Sequence, residues 1–353
     1  MLFDSFILRS MTFRNRIGVS PMCQYSCTDG LPGDWHTVHL GARAVGGAGL
    51  VMVEATAVTP EGRISAGDAG IWNDTQAAAW GKLAGLIASH GAVPAIQLAH
   101  AGWKASTAAP WKGGQQVLPQ HGGWQPLGVG DVPFDDSDST PRAFTVADVE
   151  PLLNAWRAAT QRAVDAGFKL IEIHAAHGYL LHSFLSPISN HRTDDYGGNL
   201  ENRTRLLRQV VDVVRKTVPN ELPLAVRLSC SDWLDGGWTI DDSVMLAKHL
   251  RQAGVDLIDC SSGGIAPHVR IPVGPGYQVC FAEAIRKGSG LPTAAVGMIT
   301  DPHQAETILQ QGQADMVLLA REMLRDPYWP RTAAEALGVD INAITPEQYK
   351  RAW

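Results

Sequence analysis

The stretch VADVEPLLNAWRAATQRAVDAGFKLIEIHAAHGY, residues 146–179, contains one complete turn of this chain's architecture. Val146 to Ala166 repeats apolar residues at helical spacing and reads as a long amphipathic helix. Gly167 then marks a C-cap, where a left-handed residue ends the helix. Leu170 to His174 is a short, near-continuous apolar run, as expected of a parallel strand buried on both faces. At its end stands His174, and directly beyond it His177 and Tyr179.

The same unit recurs in both directions. Further candidate strands are Ile17 to Ser20, Leu50 to Glu54, Val93 to Leu98 and Leu224 to Ser229, then Asp256 to Ser261, Thr293 to Gly297 and Met316 to Ala320. Helical patterns cover Ala77 to His90, Leu200 to Val218, Asp241 to Ala253 and Pro302 to Gln311. Pro302 suits a first helical turn. Eight such units in one series favour an α/β fold of the (β/α)8 TIM-barrel type, with residues 1–353 as a single domain. Periodicity alone does not separate this from an open doubly wound sheet. The barrel reading predicts that functional residues gather after the strands, at the C-terminal face. One segment, about 107–143, is rich in Gly, Pro, Asp and Trp, and too long for an ordinary connection. It is expected to be an insertion after the third strand that caps the barrel mouth, rather than a tolerated surface loop.

Composition narrows the classes. A hydrophobic fraction of 45% and a charged fraction of 18% fit a globular chain with a large core. The net charge of −6, without any basic run, argues against nucleic acid and anionic membrane as partners. Five irregularly spaced cysteines do not form a disulfide framework. No membrane-spanning apolar stretch and no secretory leader pattern is present, so the expected location is cytoplasmic.

The strand ends carry the chemistry. The first runs into Ser20-Pro21-Met22-Cys23-Gln24-Tyr25; if this segment is extended, Cys23 and Tyr25 face the same side. A lone cytosolic Cys is most often a small buried hydrophobe. Gln97 is a buried amide that needs partners, supplied by neighbouring backbone or by a ligand with an amide-like edge. His174 and His177 can aim donors at one oxygen and stabilise charge developing there, and Tyr179 can deliver a proton. The rival for the pair is metal ligation, although the acid of an HExxH helix is missing. Arg227 lies within a strand and is either half of an ion pair or a cation beside an electron-rich cofactor ring. Gly297, Ala320 and Arg321 follow strands seven and eight, where barrels often bind phosphate. No GxGxxG opens a βα unit in the right place for a dinucleotide fold.

Taken together, these motifs resemble the old yellow enzyme family, in particular its thermophilic-like bacterial class, over essentially the whole chain. The carrying pieces are Ser-Pro-Met-Cys (20–23), Val-Glu-Ala-Thr-Ala-Val (53–58), Gln-Leu-Ala-His-Ala-Gly (97–102), Ile-Glu-Ile-His-Ala-Ala-His-Gly-Tyr-Leu (171–180) and Asn-His-Arg-Thr-Asp-Asp-Tyr-Gly-Gly (190–198). The resemblance implies FMN at the barrel mouth, contacted by Ser20, Pro21, Met22, Cys23, Ala57, Gln97, Arg227, Gly297, Ala320 and Arg321. It implies NADPH or NADH as electron donor and small-molecule enones as acceptors. It further implies that His174 and His177 hold the substrate oxygen, that Tyr179 is the proton donor, that Tyr25 and Lys104 touch substrate, and that Cys23 tunes the flavin. Ala320 and Trp103 depart from the Gly and Arg usual at those positions. The class also suggests a homodimer or homotetramer in which the tail, about 340–353, docks on a neighbouring subunit and Arg351 completes its site. Two other functions stay open: a metal-dependent barrel hydrolase using His174 and His177, and a flavin redox sensor reporting through Cys23.

Overall fold

In the computed structural model, which describes residues 1–352, every residue of eight parallel strands is buried. They are β1 (Ile17–Val19), β2 (Leu50–Ala57), β3 (Val93–Ala99), β4 (Leu170–Ala175), β5 (Leu224–Ser229), β6 (Leu257–Ser261), β7 (Thr293–Ala295) and β8 (Met316–Leu319). Each pairs with its sequence neighbour, β8 pairs with β1, and the ring closes. The open-sheet alternative is thereby excluded. Burial on both faces explains why the strands read as apolar runs.

The outer layer consists of α1 (Asp34–Val45), α2 (Asp74–Ser89), α3 (Val149–Asp165), α4 (Leu200–Thr217), α5 (Ile240–Gln252), α6 (Val279–Ser289), α7 (Pro302–Gln310) and α8 (Trp329–Ala336). Gly167 follows α3 at φ +92°, which a side chain would make costly. Pro302 opens α7 behind Asp301, whose carboxylate accepts from the Gln304 N–H. Helices α1, α6 and α8 escape the periodic reading. In α1 the buried face carries His36, His39 and Arg43, so its apolar stripe is broken.

The core has two clusters. One lies between barrel and helices. The other fills the N-terminal end of the barrel with inward residues such as Leu50, Met52, Leu170 and Met316, and Phe6, Leu8 and Phe13 pack onto it. Those three belong to an antiparallel hairpin, Phe6–Leu8 with Met11–Phe13, which plugs the bottom. The C-terminal end is left to carry the site.

Residues 107–143 form short helical turns and one small strand pair, Leu127–Gly128 with Arg142–Ala143. The segment lies against the mouth. Phe134 packs edge-on to Trp103 at 5.6 Å, and Trp111 packs on Tyr25 at 5.5 Å. In the tail, Tyr349 stacks 6.4 Å from Tyr328, while Arg351 is exposed; the last residue of the tail, Trp353, lies outside the described residues. Among the described residues, no helix is long and apolar enough to cross a membrane.

Candidate active site

Strand register sets the site. Gln97 of β3 stands opposite Glu172 of β4, and Arg227 of β5 stands between His174 of β4 and Asp259 of β6. Gln97 Nε2 donates to Glu172 Oε1 at 2.7 Å. Arg227 Nε lies 3.1 Å from Asp259 Oδ2, and its Nη1 donates to Ser20 Oγ at 3.3 Å. Arg227 is thus ion-paired, and it also lines the cavity described below. Two buried acids share this guanidinium. Burial, then Asp259, pushes Glu172 up to about 8, and burial raises Asp259 as well.

Above this layer the two imidazoles lie with ring centres 5.1 Å apart, and the Tyr179 ring lies 5.1 Å from His174. Burial, and next the charge of Arg227, holds both histidines well below their ordinary value. They are neutral at neutral pH, each with one N–H to donate. His177 Nε2 meets Ser261 Oγ at 2.7 Å, and its backbone N–H donates to Ser229 Oγ at 2.9 Å. His174 Nδ1 is buried without a partner. Lys104 Nζ donates to the carbonyls of His177 and Gly264, at 2.8 and 3.0 Å, and burial lowers it to about 8. Trp103 Nε1 donates to the Gly178 carbonyl at 2.6 Å. The residue that departs from the family pattern thus ties the loop after β3 to the loop after β4.

The segment after β1 corrects one expectation. Tyr25 has φ +50°, so the chain is not extended there and strand alternation does not place Cys23 and Tyr25 on one side. Cys23 is half-buried, and its thiol is pushed well up by burial and then by Asp68 and Glu54. A reactive sensor thiol needs the opposite shift. Among the described residues, the group with metal-ligand spacing is Cys23, Glu54 and Asp68, and the His174–His177 pair is not part of it.

A second region lies beside Arg227. A cavity of about 260 Å³ is lined by Arg227, Gln278, Gly297, Ala320 and Arg321 among others. A Cβ at Gly297 would lie 3.0 Å from Gln278 Nε2 and 3.1 Å from Tyr277, so this wall is a cradle that glycine keeps open. A guanidinium at one end and an unpartnered imidazole nitrogen at the mouth suit an anionic group joined to a polar ring system. A larger groove of about 640 Å³, lined by Arg205, Arg208 and His249, lies among the outer helices and contains none of the strand-end residues.

Residues 1–339 match the NADH:flavin oxidoreductase / NADH oxidase family. The chain is 48% identical to NADPH dehydrogenase of Geobacillus thermodenitrificans (strain NG80-2) over 355 residues, 100% of this chain and 98% of that protein. The chain belongs to the old yellow enzyme family. Two solved structures agree with this. An old yellow enzyme homologue from Zymomonas mobilis matches at 27% identity and TM-score 0.79, over 96% of this chain and 94% of that one. Morphinone reductase in complex with tetrahydroNAD matches at 26% identity and TM-score 0.79, over 96% and 92%. This old yellow enzyme is an NAD(P)H:flavin oxidoreductase with FMN as its cofactor. The metal-hydrolase reading falls with that assignment.

The sequence pattern missed Glu172, Asp259 and Ser261, which hold Gln97, Arg227 and His177. An acid interrupting an apolar strand run is the signal that marks the first two.

Proposed function

We propose that this enzyme reduces the activated C=C bond of α,β-unsaturated carbonyl compounds. The arrangement that carries the reading is the pair of neutral imidazoles, His174 and His177, beside the Tyr179 phenol at the C-terminal mouth. FMN, when bound, supplies hydride chemistry between NAD(P)H and the β-carbon of the alkene. The side chains do the rest. His174 and His177 donate to the substrate oxygen and stabilise the charge that gathers there. Tyr179 then gives its proton to the α-carbon.

Ser20, Pro21, Met22, Cys23, Ala57, Gln97 and Arg227 would hold the ring system, and Gly297, Ala320 and Arg321 the phosphate end. Tyr25 and Lys104 border the substrate, and the 107–143 segment caps it. Arg351 would enter the site of a neighbouring copy in a homodimer or homotetramer. A double variant, His174→Ala with His177→Ala, tests the proposal. It should keep its flavin and lose 2-cyclohexenone reduction by on the order of tenfold to a thousandfold per donor removed. Wild-type turnover at normal flavin content would refute it.

A further inference from the structure

Asp68 is 1% exposed and lies on none of the barrel strands. Its Oδ2 accepts the N–H groups of Ile64 and Ser65, at 2.7 and 3.1 Å. Its Oδ1 is buried with no partner. The neighbouring acid is differently placed. Glu54 Oε1 meets His36 Nε2 at 3.0 Å, and Oε2 accepts the Gln24 N–H at 2.9 Å. Glu54 thus has donors for its charge and Asp68 Oδ1 does not. Oxygens of both acids and the Cys23 sulfur lie within 4.8 Å of one another. Two carboxylates that close do not both ionise readily, and the proton belongs on the oxygen without a donor.

Asp68 and Tyr179 line one small cavity together with Arg63, Ala57 and Ala101. Its volume, about 10 Å³, is room for one water. A water there would share its cavity with the acid of Asp68 and with Tyr179. We propose that Asp68 resupplies the proton of Tyr179 through a single water in this cavity. The inference rests on Tyr179 being the donor to substrate. As the phenol proton leaves for the α-carbon, the water gives a proton to the phenol oxygen and takes one from Asp68 Oδ1. Asp68 is left as carboxylate and regains its proton from solvent before the next cycle. Asp68 touches no substrate atom, so it is a positioning residue for the proton.

The reason for a relay is electrostatic. Burial first, then Cys23, Tyr25 and Asp68, disfavours a bare phenolate at Tyr179. Concerted delivery of a second proton avoids forming it. Asp68 can hold that second proton near neutral pH, because burial, and next Glu54, raises it to about 7. The other groups facing it are Cys23, Cys27, Tyr25, Tyr179 and Arg63, with His36 behind Glu54. Arg63 is drawn off toward Asp29, 3.6 Å away, and the rings of Trp72 and Trp124.

The test uses the FMN-loaded enzyme and the Asp68→Asn variant, which keeps an acceptor for Ile64 and Ser65. Enone reduction should slow about tenfold or more, within the range of positioned proton transfer, while NADPH-driven bleaching of the flavin keeps its rate. The wild-type rate should fall as pH rises through about 7, as Asp68 loses its proton, and Asp68→Asn should lack that limb. At pH 6 the infrared difference between wild type and Asp68→Asn should contain the band of one buried protonated carboxyl, over and above that of Glu172, which both proteins keep. In a Tyr179→Phe background, Asp68→Asn should add nothing, whereas a structural role would add its own loss. Ala101→Val, which fills the cavity and leaves both end groups, should reproduce the slow enone step and serves if Asp68→Asn fails to fold. A wild-type enone rate and pH profile in Asp68→Asn or Ala101→Val would overturn the relay. A wild-type rate in Tyr179→Phe would instead overturn the donor assignment itself.

Discussion

His177 sits at φ +60°, a conformation that costs a non-glycine residue about 1–3 kcal/mol. The Ser229 and Ser261 hydroxyls and the Lys104 ammonium hold it there. Strain fixed by three neighbours is what a preorganised donor requires, so those supports should matter to rate. Removing the Ser261 hydroxyl with Ser261→Ala should lower enone turnover severalfold, about 1 kcal/mol for one hydrogen bond, with flavin content unchanged; steady-state kinetics on loaded enzyme checks this. The histidines themselves were legible in the sequence because they cluster at the end of a strand. Glu172 and Asp259 were not, because a buried-strand reading averages over single polar residues. Asp68 was hidden further, in a loop with no period. The Cys23–Tyr25 geometry failed because a positive φ at Tyr25 leaves no mark on an alternation count.

At the scale of elements, the N-terminal hairpin decides which end of the barrel can be a site. Phe13 of this hairpin is fully buried against the inward residues of the lower barrel. Phe13→Ala should destabilise the fold by about 3–5 kcal/mol, seen as a lowered denaturation midpoint, while the folded fraction keeps its enone kinetics. Parallel kinetic losses would mean that bottom and mouth are coupled. The eight strands were readable because burial on both faces makes them continuously apolar. The hairpin was not: its strands are three residues each with an exposed residue at the centre, so they give no continuous apolar run. The 107–143 segment was set apart by its lack of period, but its anchors, Trp111 on Tyr25 and Phe134 on Trp103, are contacts between distant parts of the chain that no local pattern encodes.

At the scale of the whole molecule, the proposed exchange of Arg351 between copies has a signature of its own. Arg351→Ala and Tyr179→Phe chains, each weakened alone, should regain activity when unfolded together and reassembled. Each hybrid would then contain one site with its own Tyr179 and the partner's Arg351; no recovery would mean that Arg351 does not act across copies. The barrel, its open end and its cofactor family rest on the closed ring of strands and on matches spanning nearly the entire chain. The reaction at the mouth is the central claim, and isotope placement addresses it most directly. With NADPH deuterated at the transferable position, 2-cyclohexenone should give cyclohexanone labelled at the β-carbon. With unlabelled NADPH in D2O, the label should appear at the α-carbon, and both products should fall away in the His174→Ala, His177→Ala enzyme. Solvent deuterium at the β-carbon, or undiminished product from the double variant, would contradict the account.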